Sequence, residues 1–178
     1  MANFLTGIRL LLAVPSAMAF ARSDFISAFM LLGLLFAAIA TDYFDGIVAR
    51  KTNTASVRGQ VFDHSTDFLF VTSGLAGAAY AGAINPLLPI LIVVAFLQYV
   101  LDSYFFYREK QLHMSFLGRW NGIFYFVPLL LIALSRIEFN VAINDFLPAS
   151  IVLMGYLLLL STVASIIDRA IAPLRVKL

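Results

Sequence analysis

The sequence predicts an all-α integral membrane protein, a bundle of six transmembrane helices. Three observations carry that expectation. Of 178 residues, 62% are hydrophobic and 12% charged, against about 45–50% and about 25% in ordinary soluble domains. Mean hydropathy is +0.94, which excludes a soluble globular protein. The apolar residues fall into six runs with short connections, and a spanning helix uses about 20 apolar residues. The runs lack the period-two alternation of barrel strands and exceed their length, so helices remain, because only helices and closed barrels satisfy every backbone group in lipid.

In chain order the runs cover about residues 7–21, 25–41, 61–80, 87–107, 122–135 and 146–167. Pro86, Pro89 and Pro148 sit near the starts of runs, where a missing N–H costs little. Pro15 and Pro128 lie deeper and predict kinks. In the third run Gly74, Gly77, Ala78 and Ala81 form small-residue spacings suited to helix packing. Gln98 and Asp102, one turn apart in the fourth run, either line a cavity or make a helix–helix hydrogen bond. No internal repeat, linker or low-complexity tract interrupts the chain, so residues 1–178 read as one domain. The absence of cysteine excludes disulfides and thiolate chemistry.

Charge placement orients the bundle. Arg50, Lys51, Arg58, Arg108, Lys110, Arg119, Arg169, Arg175 and Lys177 fall on one side of the runs, and Arg22 and Arg136 on the other. Basic residues stay cytoplasmic, so both termini and the connections near 42–60 and 108–121 are expected in the cytoplasm. The location expected is a bacterial inner membrane. An alternative reading of residues 1–21 is a signal peptide, from Arg9, an apolar stretch and Ala19-Phe20-Ala21; cleavage would leave five runs in the same orientation.

Ten residues are acidic, and Asp42, Asp45, Asp63 and Asp67 cluster where the second run ends and the third begins. Carboxylates at a helix centre cost about 2.5–3.5 kcal/mol each to insert, so four together need a compensating charge. Asp42 and Asp45 are three apart and Asp63 and Asp67 four apart, which puts each pair on one helix face. Two antiparallel helices then aim four carboxylates at one point, giving a polar cavity that faces the cytoplasm. Hard divalent cations favour such oxygen-rich sites, and magnesium keeps water or phosphate oxygens among its ligands. Gly46 and Ala49 leave the next turn bare for a ligand, and Arg50 adds a guanidinium suited to phosphate oxygens. The competing reading is a solvated collar in which the acids pair with Arg50, Lys51 and Arg58.

Written out, Asp42-x2-Asp45-Gly46-x2-Ala49-Arg50-x8-Gly59-x3-Asp63-x3-Asp67 resembles, at every fixed position, the signature of the CDP-alcohol phosphotransferase family. The resemblance implies an integral membrane enzyme, usually a homodimer, that moves a phospho-alcohol group from a CDP-alcohol to a hydroxyl acceptor and releases CMP. It implies two Mg2+ or Mn2+ ions, bridged by Asp42 and Asp63 and completed by Asp45 and Asp67, with Asp67 also the general base. Gly46, Ala49, Arg50 and Ser56 would meet the CDP-alcohol, and Gly59 would allow close helix approach. Asn3, Thr6 and Arg9 resemble a short stretch that helps hold the nucleotide; otherwise Asn3 or Thr6 caps the first helix and Arg9 snorkels to the interface.

The donor expected is CDP-diacylglycerol. Basic residues at the start of the fifth run and the end of the sixth resemble those that grip an acceptor phosphate, here Arg119 with Arg108, and Arg169. They favour glycerol 3-phosphate, although Asn121 stands where such branches often carry a lysine. The other acceptors considered are inositol, inositol phosphate, serine and choline. A reading of another class is an ion-binding transporter, but no polar trail continues through the other runs. Trp120 reads as an interfacial anchor, His64 occupies an unspecified motif position, and His113 reads as a loop residue. No nucleic-acid-binding feature is present; the basic residues suit anionic lipid headgroups.

Overall fold

A computed structural model describes residues 2–51, 57–105 and 116–175, with side chains over 6–44, 47, 59, 61–102 and 116–171. The elements are α1 (Ala2–Ala21), α2 (Ala28–Lys51), α3 (Val57–Tyr80), α4 (Leu87–Phe105), α5 (Phe116–Phe124), α6 (Phe126–Leu134) and α7 (Val141–Arg175). No strand occurs among the described residues.

Local chemistry explains the connections at one end. Ser27 Oγ accepts from Met30 N at 3.3 Å, Asn85 Oδ1 from Leu87 N at 2.9 Å, and Asn140 Oδ1 from Ile143 N at 3.0 Å, so α2, α4 and α7 each begin on a polar side chain that accepts from a first-turn N–H. Gly82 closes α3 with φ of +77°. Around it, Ala83 N donates to Ala78 O at 2.9 Å and Gly82 N to Ala79 O at 3.0 Å, the paired bonds of a glycine-terminated helix.

Two elements differ from expectation. The fifth run is divided at Tyr125 into α5 and α6, because Pro128 lacks the N–H that would bond one turn back and its ring crowds that carbonyl. The last helix starts at Val141 rather than near 146, since Asn140 caps it ahead of the apolar run; Pro148 therefore lies two turns inside α7 and not at its start. α1 continues through Pro15.

The core is built on α1 and α3. Ser73 Oγ donates to Ala13 O at 3.1 Å, and a Cβ on Gly77 would run into the Ala17 carbonyl oxygen. Both contacts join residues sixty apart, so the two helices run parallel with backbones in near contact. Around them pack Phe20, Leu31, Leu35, Phe70, Leu75, Leu88 and Leu129, all fully buried. The outer faces are also apolar: Leu11 is 77% exposed, Phe29 74% and Phe146 68%. Phe116–Leu134 and Val141–Ile171 are long and apolar enough to cross a membrane; the apolar stretches Thr6–Ala21, Ala28–Phe44 and Leu87–Asp102 are shorter.

Candidate active site

Three helices meet at the end of the bundle opposite those capped connections. α1 contributes Thr6 and Arg9, the last turns of α2 contribute Asp42, and the first turns of α3 contribute Asp63, His64 and Asp67. The parallel register of α1 and α3 sets Arg9 beside Asp63 and Asp67, and α2, arriving from the other direction, brings Asp42 to the same point.

The Arg9 guanidinium is the hub. Nη1 donates to Asp42 Oδ1 at 3.1 Å, Nη2 donates to Asp63 Oδ1 at 3.5 Å, and Nη1 is ion-paired with Asp67. The Arg9 side chain is 1% exposed, while those of Asp42, Asp63 and Asp67 are 47%, 29% and 26% exposed. The carboxylates thus keep open faces around a sealed cation. Thr6, also buried, directs Oγ1 to Asp63 Oδ1 at 3.5 Å. Arg9 therefore does not snorkel to the bundle surface; it turns inward and compensates the acids.

Among the described side chains, three carboxylates face one guanidinium, an acidic excess that suits a divalent cation. Asp63, His64 and Asp67 place one ligand atom each within 4.8 Å of one another. Oxygen-rich donors of this kind fit magnesium or manganese, so the chemistry of the donor set matches a hard divalent ion. His64 was not singled out by the motif; its signal in the sequence is only its place beside Asp63.

The acids open onto a cavity of about 440 Å³. Asp42, His64 and Asp67 lie along it, Ile39, Phe68, Val71, Ile92, Phe96 and Phe126 make much of the wall, and Arg119, Ser165 and Arg169 supply further polar groups. Arg169 Cζ stands 5.0 Å over the Tyr99 ring, a cation–π contact. Nearby, Ser161 Oγ donates to Asn121 Oδ1 at 2.6 Å, and Gln98 Nε2 donates to Ile166 O at 3.2 Å. Gln98 thus ties α4 to α7, the second of its two expected roles. Trp120 stacks on Phe124 with centroids 5.8 Å apart and is 46% exposed.

Of the residues expected in the site, the structure brings together Thr6, Asp42, Asp63 and Asp67, and it places Arg119 and Arg169 on the same cavity. Gly46, Ala49 and Arg50 follow Asp45 along the α2 backbone, and Gly59 lies in the first turn of α3, half-buried. The side chains of Asp45, Ala49 and Arg50, together with Ser56 and Arg108, lie outside the described residues, as does His113.

No curated protein matches the chain. Residues 1–168 match the family model for CDP-alcohol phosphatidyltransferase, a span that takes in the carboxylate cluster, its arginine and every helix but the end of α7. The chain belongs to the CDP-alcohol phosphatidyltransferase family and is a transferase of substituted phosphate groups, a phosphatidyl-transferring enzyme of phospholipid synthesis.

Proposed function

We propose that this transferase, acting as a single domain over residues 1–178, moves the phosphatidyl group of CDP-diacylglycerol to glycerol 3-phosphate at the cytoplasmic face of the membrane and releases CMP. The observation that carries the reading is the convergence of Asp42, Asp63 and Asp67 at one end of a cavity that also carries Arg119 and Arg169. Exposed Leu11, Phe29 and Phe146 on the outer faces suit lipid contact, since soluble monomers rarely expose apolar surface on that scale. The basic asymmetry of the connections supports the cytoplasmic orientation. The enzyme is assigned as a homodimer in keeping with its family.

The reaction forms a bond from the acceptor hydroxyl oxygen to the phosphorus that bears the diacylglycerol, and breaks the bond from that phosphorus to the oxygen shared with CMP. Asp42, Asp45, Asp63 and Asp67 would hold two divalent ions, which when bound neutralise the pyrophosphate and polarise the phosphoryl group. Asp67, partly open to the cavity, takes the hydroxyl proton as general base. Gly46, Ala49, Arg50, Ser56 and Gly59 form the nucleotide side, with Arg50 on the pyrophosphate. Arg119 and Arg169, with Arg108, hold the acceptor phosphate and keep its hydroxyl pointed at the donor. The apolar wall excludes water, which would otherwise compete as acceptor.

The test is CMP release from CDP-diacylglycerol by purified protein in detergent, with and without Mg2+ or Mn2+, against glycerol 3-phosphate, inositol, inositol phosphate, serine and choline. Metal-dependent release with glycerol 3-phosphate is expected. Release with another member of the panel would reassign the acceptor and leave the centre in place, whereas failure to bind CDP-diacylglycerol would overturn the donor.

A further inference from the structure

Arg9 lies outside the Asp-x2-Asp signature, in a stretch whose resemblance points only to the nucleotide, yet it is the most enclosed charge among the described residues. Its guanidinium bonds to Asp42 and Asp63 and pairs with Asp67, so one side chain on α1 touches carboxylates from both helices that frame the proposed metal centre. A cation bound by those carboxylates and the arginine draw on the same oxygens. Asp63 Oδ1 already takes Arg9 at 3.5 Å and Thr6 at 3.5 Å, and Asp67 is held by Arg9 from the side that α1 covers.

We propose that Arg9 is a built-in counter-cation for the carboxylate cluster, a positioning residue that holds Asp42, Asp63 and Asp67 together in the absence of divalent metal and competes with that metal for them. The proposal rests on the divalent-ion reading above. Its physical basis is twofold. Three acids left without a positive partner repel one another and lose solvation, so a buried guanidinium keeps the three helices assembled. The same guanidinium lowers the net negative charge that an incoming ion meets, and part of its contact with Asp67 has to be surrendered when the ion binds. Ion binding and the Arg9 ion pairs are therefore linked with opposite sign, and the arginine sets the affinity at which the centre fills. An enzyme tuned this way binds the ion more tightly once the pyrophosphate of the nucleotide adds its own oxygens.

The experiment measures Mn2+ binding by electron paramagnetic resonance of the detergent-solubilised protein without nucleotide, together with thermal unfolding in EDTA and in Mn2+. Arg9→Met is expected to bind Mn2+ about tenfold more tightly than wild type, within the usual range for coupled sites. It should also unfold at lower temperature in EDTA and gain more from Mn2+ than wild type does. Arg9→Lys keeps the charge and should stay within about threefold of wild type in Mn2+ affinity, which separates charge from packing. Should Arg9→Met not fold, Arg9→Gln, with a donor for one carboxylate, carries the same expected rise in affinity. Unchanged or weaker Mn2+ binding by the neutral variants, with wild type binding normally, overturns the competition and leaves the metal centre standing. Absence of Mn2+ binding by wild type and variants alike overturns the centre and the role of Arg9 with it.

Discussion

The two ends of the helical bundle solve opposite problems. At the end bearing residues 22–27, 81–86 and 135–140, helix termini are closed by Ser27, Asn85, Asn140 and Gly82, and α1 and α3 press together so tightly that Gly77 meets the Ala17 carbonyl. Arg136, drawn below the usual arginine pKa by burial, donates Nη2 to Phe20 O at 3.2 Å and adds a strap there. At the other end the same helices carry Arg9, Asp42, Asp63 and Asp67. One end satisfies its backbone locally and packs to the limit; the other concentrates charge that only partners from three helices can balance. The lesson is that the close α1–α3 contact at the first end fixes the register that delivers Arg9 to the second.

The largest effect is expected at the charged end. Asp67→Asn keeps the shape of the side chain and removes its basicity, so turnover should fall by about 10²–10⁴-fold, the usual contribution of a positioned general base, while CDP-diacylglycerol binding survives. Steady-state CMP release and equilibrium nucleotide binding check the two halves; wild-type turnover would remove Asp67 from the role of base. At the packed end, Gly77→Val forces a Cβ into the Ala17 carbonyl. Overpacking of this sort costs about 1–3 kcal/mol or more, and here the obstacle is backbone, so the upper part of that range is expected in detergent unfolding. Because this contact sets the α1–α3 register, the same variant should also lose activity through displaced Asp63 and Asp67, even at temperatures where it remains folded.

Much of this comparison was legible in the residues. The spacings of Asp42 and Asp45 and of Asp63 and Asp67 put each pair on one helix face, and Asp42, Asp63 and Asp67 do converge. Arg9 was visible as a charge inside an apolar run, but its direction was not. Whether it turns in or snorkels depends on the parallel alignment of α1 with α3, and that follows from non-local contacts at Ser73 and Gly77. Pro128 announced a disturbance, and the break falls one turn upstream at Tyr125 because a proline disrupts the bond to the residue four before it. α7 starts ahead of its apolar run because the Asn140 side chain initiates the helix there, and hydropathy registers the apolar stretch and not that side chain.

A smaller effect tests the capped end. Asn140→Ala removes the side-chain acceptor for Ile143 N, leaving it the Asn140 carbonyl, and should cost about 1 kcal/mol of stability, with metal affinity and turnover at permissive temperature unchanged. A loss of Mn2+ binding in that variant would mean that the two ends are not separable in the way the contacts indicate.

The smallest effect belongs to the joint between α5 and α6, which faces the cavity without touching the acids. Thr162 Oγ1 donates to Leu158 O at 2.6 Å, which uses its only hydrogen, so in the 2.8 Å contact between Tyr125 and Thr162 the tyrosine hydroxyl is the donor. Tyr125→Phe therefore removes a donor and leaves Thr162 with its own bond intact, a gentler change than deleting the threonine. Hydrogen bonds between helices in a membrane contribute about 0.6 kcal/mol on average, and the phenyl ring keeps the packing, so a stability loss of about that size is expected in detergent unfolding. A loss above about 2 kcal/mol would exceed the largest value usual for such a bond and would show that the hydroxyl holds the break itself in place, making the joint, and with it the Arg119 side of the cavity, dependent on α7.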